Sequence, residues 1–257
     1  MTNFSVIIPT WNEEIWLPRL LESLRRIDIW HEIIIADHSS SDRTVAIAEA
    51  YNCRVVPGGI PSIARNCGAM YAHGDILVFI DADVILTKLI VPFLLHHFRD
   101  DSIVMLHFPL ASIGPNLKGK LAYSTLNAYI HLLSFLGFSQ GMGAFMAVRK
   151  TAFIDVGGFN EGLKVGEDAD IYRKLAQIGV IKFEKGACVF VSPRRFRQEN
   201  LILFGFKGLV WSLLRGIGIK WDPFNYKWKP YPADVGASEA LHAYQIISEL
   251  KDVNFMS

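Results

Sequence analysis

Short apolar runs alternate with helical patterns along the first 83 residues, and this alternation leaves few folds open to the chain. Four runs have the length and apolar content of buried strands; they span 4–10, 31–37, 53–59 and 74–83. Apolar residues at helical spacing fill the intervals; these predicted helices span 13–26, 40–51 and 62–73. This order predicts an α/β fold with a Rossmann-like, mostly parallel sheet and helices on both of its faces.

The chain beyond residue 83 shows a less regular pattern. Further helices are predicted at 89–98, 120–138 and 166–179, and further strands at 102–108 and 187–198. A glycine-rich stretch occupies 139–148. In 201–219 the apolar residues fall on one helical face, with Lys207 and Arg215 on the other, so we expect a C-terminal amphipathic helical extension.

Composition excludes several classes of protein. The net charge of the 257 residues is +1, which gives no support for nucleic-acid binding. The three cysteines form no C-x-x-C pair, so neither a disulfide framework nor a zinc knuckle is expected. The N-terminus lacks a secretory pattern, and no run of about 18 apolar residues occurs. We therefore expect cytoplasmic residence.

Two aspartates, Asp81 and Asp83, end the apolar run at 74–83. Residues two apart in a strand point to the same face, so the two carboxylates would lie side by side and repel each other. Mg²⁺ or Mn²⁺ held against a diphosphate would justify this arrangement, because hard cations prefer oxygen ligands. Two solvated aspartates at a strand end are the alternative.

A second acidic pair, Glu167 and Asp168, begins the helix predicted at 166–179. Acids at a helix N-terminus also complement the helix dipole, which is the structural alternative. A site that transfers a sugar needs a cation for the leaving diphosphate and a separate base for the incoming hydroxyl. Taken together, the two acidic pairs therefore favour a catalytic site.

Five segments in order resemble the family 2 glycosyltransferases of GT-A fold. They are SVIIPTWNEE, IIIADHSSSDRT, ARNCGAMYAHGDILVFIDAD, VGGFNEGLKVGEDADIYRKL and SPRRFR, and together they extend over about residues 4–198. The resemblance implies a catalytic domain at 1–199, with a nucleotide-binding half at about 1–83 and an acceptor half at about 84–199. An extension at 200–257 would follow.

The resemblance also implies which residues bind the nucleotide sugar. Its nucleotide pocket would include Pro9, Thr10, Asn12, Glu13, Asp37, Arg65, Asn66, Asp81 and Ala82. Asp83 would be the direct metal ligand and Asp81 would contact ribose or the metal. His38 and Ser39 stand where the family commonly has Asp and Gly.

For the chemical step, the resemblance implies Asp168 as the general base and Glu167 as its support. An inverting transfer needs a carboxylate in line behind the anomeric carbon to accept the hydroxyl proton. If the acceptor is a phosphate, no base is required and Asp168 would bind or position it instead. Glycines within 139–145 match the stretch where the backbone approaches the donor sugar.

The basic cluster after the strand at 187–198 has two interpretations. Arg194 and Arg195, with Arg197, would stabilise the departing nucleoside diphosphate, or they form a solvated patch suited to anionic lipid. Two interpretations also apply to the helix predicted at 201–219 and the aromatic-rich segment 221–232. These segments either lie in the membrane interface or dock on the catalytic domain. At the interface, the extension would bring a lipid-linked acceptor to the site.

The sequence therefore predicts a metal-dependent inverting glycosyltransferase that uses a UDP- or GDP-sugar, a glycan acceptor and peripheral membrane contact at the cytoplasmic face. Two alternatives stay open. One is a sugar nucleotidyltransferase, although no G-x-G-x-R loop follows the first strand. The other is a non-enzymatic, membrane-bound scaffold that keeps the fold.

Overall fold

The computed structural model describes residues 2–135 and 140–195, together with 207–208, 210–211, 214, 218–219 and 221–225. The strands are β1 (Phe4–Thr10), β2 (Trp30–Asp37), β3 (Arg54–Pro57), β4 (Ile76–Ile80), β5 (Val84–Ile85), β6 (Ile103–His107), β7 (Leu110–Ser112), β8 (Phe145–Arg149), β9 (Val180–Phe183) and β10 (Val189–Val191). The helices are α1 (Leu17–Arg25), α2 (Thr44–Ala50), α3 (Pro61–Tyr71), α4 (Val91–His97), α5 (Leu117–Phe135), α6 (Lys150–Asp155) and α7 (Glu167–Leu175), with a 3₁₀ turn at Lys88–Ile90.

A seven-stranded sheet in the order β3-β2-β1-β4-β8-β6-β9 forms the centre of the molecule. Strands β1 to β4 pair in parallel, as the alternating pattern predicted. Strand β8 runs antiparallel to both β4 and β6, and β9 pairs in parallel with β6. The sheet is therefore mostly parallel, and it draws strands from both sides of residue 83.

Each face of this sheet carries a separate apolar core. One face packs against α1, α2, α4 and α5, and the other against α3, α6 and α7. The alternation of side chains along β1 explains the division, because Val6 and Ile8 enter the first core and Ile7 enters the second. The prediction of helices on both faces is confirmed.

Helix α3 lies unusually close to β1 because of one glycine. A Cβ on Gly68 would lie 2.4 Å from Cγ2 of Ile7, a distance that no side chain tolerates. The backbone of α3 can therefore approach the sheet, which brings Arg65, one turn earlier, towards the carboxyl ends of β1 and β4.

A smaller sheet, in the order β5-β10-β7, lies beside the carboxyl end of β4. β10 pairs antiparallel with β5 and in parallel with β7. The sequence missed β5 and β7 because strands of two or three residues have no detectable periodicity. It also missed β8, because we assigned its segment to a glycine-rich stretch.

The structure corrects several predicted boundaries. The strand predicted at 74–83 ends at Ile80, and the helix predicted at 13–26 begins only at Leu17, with Pro18 in its first turn. The helix predicted at 120–138 spans Leu117–Phe135, and 136–139 lie outside the described residues. No helix in the described part of the chain combines the length and the apolar character that a bilayer crossing requires.

Candidate active site

Asp81 and Asp83 lie in a turn after β4, so the premise that they extend a strand is wrong. The backbone N–H of Val84 donates to the carbonyl of Asp81, which closes the turn. The N–H of Asp81 donates to Ala144 next to β8, and the N–H of Ser192 after β10 donates to the Asp83 carbonyl. The turn is thus anchored to both sheets, and its two carboxylates reach different partners.

Arg65 on α3 joins the first aspartate of the turn to the second acidic pair. Its Nη2 donates to Asp81 Oδ1 at 2.7 Å, and its Nη1 donates to Glu167 Oε1 at 3.0 Å. Nη2 also donates to the Gly143 carbonyl at 3.3 Å. The guanidinium is buried, so these acids hold a cation away from water. The structure therefore brings together two acidic pairs that lie far apart in the chain.

Arg194, which follows β10, makes a second cluster with the other aspartate of the turn. Its Nε donates to Asp83 Oδ2 at 2.8 Å. Its two terminal nitrogens donate to the two oxygens of Glu13 at 2.8 and 2.6 Å, a bidentate arrangement that fixes the guanidinium plane. Arg194 and Glu13 are both buried. This arginine therefore pairs with carboxylates of the site itself.

Asp168 stands at the start of α7, where Gly166 adopts a left-handed φ of 73° just before the helix. Its Oδ2 accepts a hydrogen bond from the Gly143 N–H at 3.2 Å, and its Oδ1 accepts one from the N–H of Ala169 at 2.8 Å. Gly143 thus contacts Arg65 through its carbonyl and Asp168 through its N–H. A single glycine therefore connects Arg65 with the predicted base.

Burial makes the carboxyl groups of the site more basic than usual. It raises the pKa of Glu167 to about 7, with a further contribution from Asp168, against the opposing charge of Arg65. Burial also raises the pKa of Asp168, which backbone donors and Arg65 partly offset. The pKa values of Asp83 and Glu13 are raised by burial as well, and Arg194 counteracts the increase. Raised values suit a group that must accept a proton near neutral pH.

The carboxyl ends of β1 and β2 form the adjoining rim of the site. Asp37 accepts hydrogen bonds from the Thr10 hydroxyl at 2.8 Å and from both the N–H and the hydroxyl of Ser40. Ser39 adopts a φ of 50°, so the residue in the place of the expected glycine still takes a left-handed conformation. Asn12, also left-handed at φ 57°, accepts from the Ser41 N–H at 2.8 Å.

The remaining predicted residues are placed nearby with structural contacts. The Asn66 side chain bonds both the N–H and the carbonyl of Phe159, which clamps α3 to the loop before α7. Pro9 lies in β1 opposite Ala36 of β2, and Ala82 is buried within the aspartate turn. Arg195 is half-buried and close enough to lower the pKa of Asp83 and of Asp168 through its charge.

The donor set of the turn fits a hard divalent cation. Asp81 keeps a third of its side chain exposed, so an ion arriving with a diphosphate has access to it. Asp83 and Asp81 raise the pKa of neighbouring acids, as close negative charges do. Among the described residues, no three His, Cys, Asp or Glu side chains gather into a metal-binding group.

Sequence reasoning missed Tyr172, which lies next to Asp168, whereas Gly141 lies in the glycine-rich stretch that the sequence singled out. Tyr172 is fully buried, and burial raises its pKa well above the usual value. Within the described part of the chain its hydroxyl has no hydrogen-bond partner. A Cβ on Gly141 would lie 2.0 Å from that hydroxyl, so the loop before β8 packs directly on α7 only because residue 141 is a glycine. The glycine-rich stretch was the available signal.

The C-terminal segment is described only in part. Trp211 is buried, donates to Asp222 Oδ1 at 3.0 Å and packs edge-on against Phe224, whereas Trp221 is exposed. The predicted helix at 201–219, the aromatic segment at 221–232 and Arg197 otherwise lie outside the described residues. The choice between membrane and domain docking for this segment therefore stays a prediction.

Solved structures define the class of fold. The chain matches glucosyl-3-phosphoglycerate synthase from Mycobacterium tuberculosis, solved with Mn²⁺, UDP and glucosyl-3-phosphoglycerate, with a TM-score of 0.59 and 21% identity over 90% of this chain and 88% of that one. It also matches residues 1–349 of S. aureus TarS with UDP-GlcNAc, with a TM-score of 0.58 and 18% identity over 96% and 71% of the two chains. The chain has the GT-A fold.

The particular family follows from sequence. Residues 5–157, more than half of the chain, match the model of glycosyl transferase family 2, and the chain belongs to this family. The pre-mycofactocin glycosyltransferase of Mycobacterium tuberculosis is 28% identical over 217 residues, which are 79% of this chain and 46% of that protein. The 4,4'-diaponeurosporenoate glycosyltransferase of Staphylococcus haemolyticus is 42% identical over 91 residues, 32% and 24% of the two chains. The chain spans less than half the length of these two relatives.

Proposed function

We propose that the chain is a metal-dependent, inverting glycosyltransferase that moves a sugar from a UDP- or GDP-sugar to an acceptor hydroxyl. The observation that carries this proposal is the contact of Arg65 with both Asp81 and Glu167. This contact joins the turn of Asp81 and Asp83, which suits a diphosphate, to the acidic pair at the start of α7, which suits proton transfer. The two groups of acids therefore form one site. Relatives within the same family carry glycosyltransferase names, which supports the reaction class.

In the proposed reaction, the acceptor oxygen attacks the anomeric carbon and its proton passes to a carboxylate oxygen of Asp168. The bond from the anomeric carbon to the diphosphate oxygen breaks in the same step, and the nucleoside diphosphate leaves with the electron pair. The raised pKa of Asp168 favours uptake of the proton at neutral pH. Glu167, held by Arg65, fixes the start of the helix that carries the base.

The leaving diphosphate needs positive charge. Mn²⁺ or Mg²⁺ held by Asp83 and Asp81 would supply it as a Lewis acid. Arg195 adds a positive charge close to both Asp83 and Asp168. Arg194 plays another part, since it neutralises Asp83 and Glu13 and keeps their carboxylates oriented.

The acceptor is proposed to be a glycan or a lipid-linked molecule at the cytoplasmic face of a membrane. The amphipathic pattern of 201–219 and the aromatic residues of 221–232 support a peripheral membrane contact by the 200–257 extension.

A thermal-shift panel of UDP-, GDP- and dTDP-sugars, with and without Mn²⁺, identifies the donor, because a ligand that binds only the native state raises the apparent stability. We expect one nucleotide class to raise the Tm only when Mn²⁺ is present. Asp83→Asn should abolish that metal-dependent shift. An unchanged shift in this variant would remove Asp83 from the metal site.

Product analysis separates the proposal from its two alternatives. Release of nucleoside diphosphate from the donor supports a glycosyltransferase. Release of pyrophosphate from a nucleoside triphosphate and a sugar phosphate would identify a nucleotidyltransferase instead. If no donor yields nucleoside diphosphate under any condition in which it binds, the chain is a scaffold.

A further inference from the structure

Helix α5 exposes an apolar stripe that reaches both of its ends and is interrupted in the middle by the exposed Ser124 and Thr125. The stripe, hereafter the α5 stripe, consists of Leu117, Leu121, Ala128, Leu132 and Phe135, whose spacing places them on one helical face. Its four large side chains are between 55% and 82% exposed. Exposed apolar residues scattered singly need no explanation, but four aligned on one helix mark an interaction surface.

The charged side chains of α5 itself are both lysines. Lys118 and Lys120 are exposed beside the N-terminal end of the α5 stripe, and His131 is exposed beside its C-terminal half, where it contacts Lys185. The segment Leu117–Phe135 contains no acidic residue. The acidic residue nearest to Lys185 in sequence, Glu184, lies outside α5 and contacts His97 at 2.7 Å.

We propose that the α5 stripe docks on an anionic lipid bilayer, with α5 lying parallel to the membrane plane. Leucine and phenylalanine side chains would enter the interface, and the lysines on either side of the stripe would meet anionic headgroups. A second copy of the chain fits less well, because two such helices face to face would bring their basic residues together without acidic partners.

The buried face of α5 connects this surface with the active site. The Tyr123 hydroxyl donates to the Ser192 carbonyl at 3.0 Å, two residues before Arg194. A Cβ on Gly119 would lie 2.6 Å from Cβ of Pro193, so the first turn of α5 touches the segment that carries the Arg194 cluster. A helix is about 10–12 Å across, so docking of α5 would hold the site about that far from the bilayer. An acceptor embedded in the membrane would then be within reach.

Vesicle flotation of the full chain tests the proposal without any need for turnover, so its failure would leave the proposed reaction untouched. The probes are phosphatidylcholine vesicles with and without phosphatidylglycerol. We expect wild type to float with the anionic vesicles, and Leu121→Glu with Leu132→Glu to lower the bound fraction at least about tenfold, since two apolar anchors become charged. Circular dichroism confirms that the variant is folded.

The matched control changes two exposed apolar residues on the other face of the sheet. Met70 on α3 and Ile154 on α6 are 83% and 63% exposed, and Met70→Glu with Ile154→Glu adds the same charge. This control should float like wild type. Equal flotation of both double variants would overturn the proposal and assign membrane binding to another part of the chain, such as 200–257.

A second variant tests whether the lysines beside the α5 stripe contribute to lipid binding, and light scattering tests whether a second copy of the chain binds the stripe instead. Lys118→Gln with Lys120→Gln should reduce binding to anionic vesicles and leave the weak binding to neutral vesicles unchanged; no effect on anionic binding would contradict the proposal.

Light scattering without lipid should give the same mass for wild type and for the Leu121→Glu, Leu132→Glu variant. A dimer that becomes a monomer in that variant, while vesicle binding persists, would assign the stripe to self-association and overturn the lipid proposal.

Discussion

Two buried arginines each bind one aspartate of the turn that contains Asp81 and Asp83, and the other partners of the two arginines differ. Arg65 pairs with Asp81 and with Glu167 of α7, whereas Arg194 pairs with Asp83 and with Glu13 after β1. Each guanidinium is held by two carboxylates at 2.6–3.0 Å. The two neighbouring acids of one turn therefore belong to two different ion clusters.

The difference between the clusters indicates a division of labour. The Arg65 cluster reaches the predicted base through Glu167 and Gly143, so it would couple the proposed donor side to the proposed proton-transfer side. The Arg194 cluster stays with the turn and the end of β1, and it neutralises the acid that we assign to the metal. We therefore expect the first cluster to respond mainly to changes at α7, and the second to respond to divalent cations.

The largest effect should follow from Asp168→Asn, which removes the proposed base beside the Arg65 cluster. We expect turnover to fall by about 10²–10⁴-fold, the usual contribution of general base catalysis, while donor affinity stays within about threefold. Steady-state kinetics and donor titration measure the two quantities. Asp155→Asn, on the exposed side of α6, is the control. Normal turnover of Asp168→Asn with a hydroxyl acceptor would refute its role as base.

Arg65→Met should destabilise the protein by about 3–5 kcal/mol, because it leaves two buried carboxylates without their cation. Arg65→Lys should recover part of this loss, since a lysine keeps the charge and loses the forked geometry. Denaturant titration measures both, and the exposed Arg54→Met serves as control. If Arg65→Met and Arg54→Met were equally stable, the Arg65 cluster would have no role in holding the site together.

Arg194→Met should cause a similar loss in metal-free buffer, but divalent cations should offset it. With the guanidinium gone, Asp83 and Glu13 offer oxygen ligands, and Mn²⁺ at about 100 times its Kd would restore about 2.7 kcal/mol. The Tm with and without Mn²⁺ measures this recovery. The same addition should help Arg65→Met less than Arg194→Met, because in Arg65→Met the proposed direct metal ligand, Asp83, keeps its bond to Arg194. An equal Mn²⁺ response of the two variants would erase the distinction between the clusters.

The smallest effect concerns the pH dependence of stability near Glu167. Its folded-state pKa of about 7 lies above the usual 4.5, so the fold favours the protonated carboxyl. This stabilisation is complete below about pH 4.5 and is lost as the pH rises through about 7. Glu167→Gln cannot ionise, so its Tm should fall less than that of wild type over this interval, by about 2–4 °C for each kcal/mol of this stabilisation that wild type loses. The exposed Glu49→Gln should follow wild type.

Part of this architecture was predictable because its signals are local. The alternation of short apolar runs with helical patterns over the first 83 residues predicted the four parallel strands and the helices on both faces. The acids at 167 and 168 correctly indicated a helix start, since the helix begins at Glu167. Very short strands such as β5 were not predicted from the sequence. Strand β8 was not predicted either, and its antiparallel position depends on partners distant in sequence.

The sequence also indicated which residue types form the site, but it did not indicate which of these side chains pair with each other. The sequence placed Arg65 in the nucleotide pocket and left Arg194 either as a cation for the diphosphate or as part of a solvated patch; the structure pairs both with carboxylates. Glu13 was predicted only as part of the nucleotide pocket, and its bidentate bond with Arg194 spans most of the described chain. Gly143 was predicted only as part of a glycine-rich stretch that approaches the donor sugar, and its backbone contacts with Arg65 and Asp168 were not predicted.

The sequence by itself determined the α/β class, the family and the supply of acids and arginines, because hydrophobic periodicity and short motifs depend on near neighbours along the chain. Only the tertiary structure decided that Asp81 and Asp83 lie in a turn and reach two different arginines, and that α5 carries an exposed apolar stripe. Charge pairing and burial depend on distances in space between residues far apart in the chain, and folding alone sets those distances.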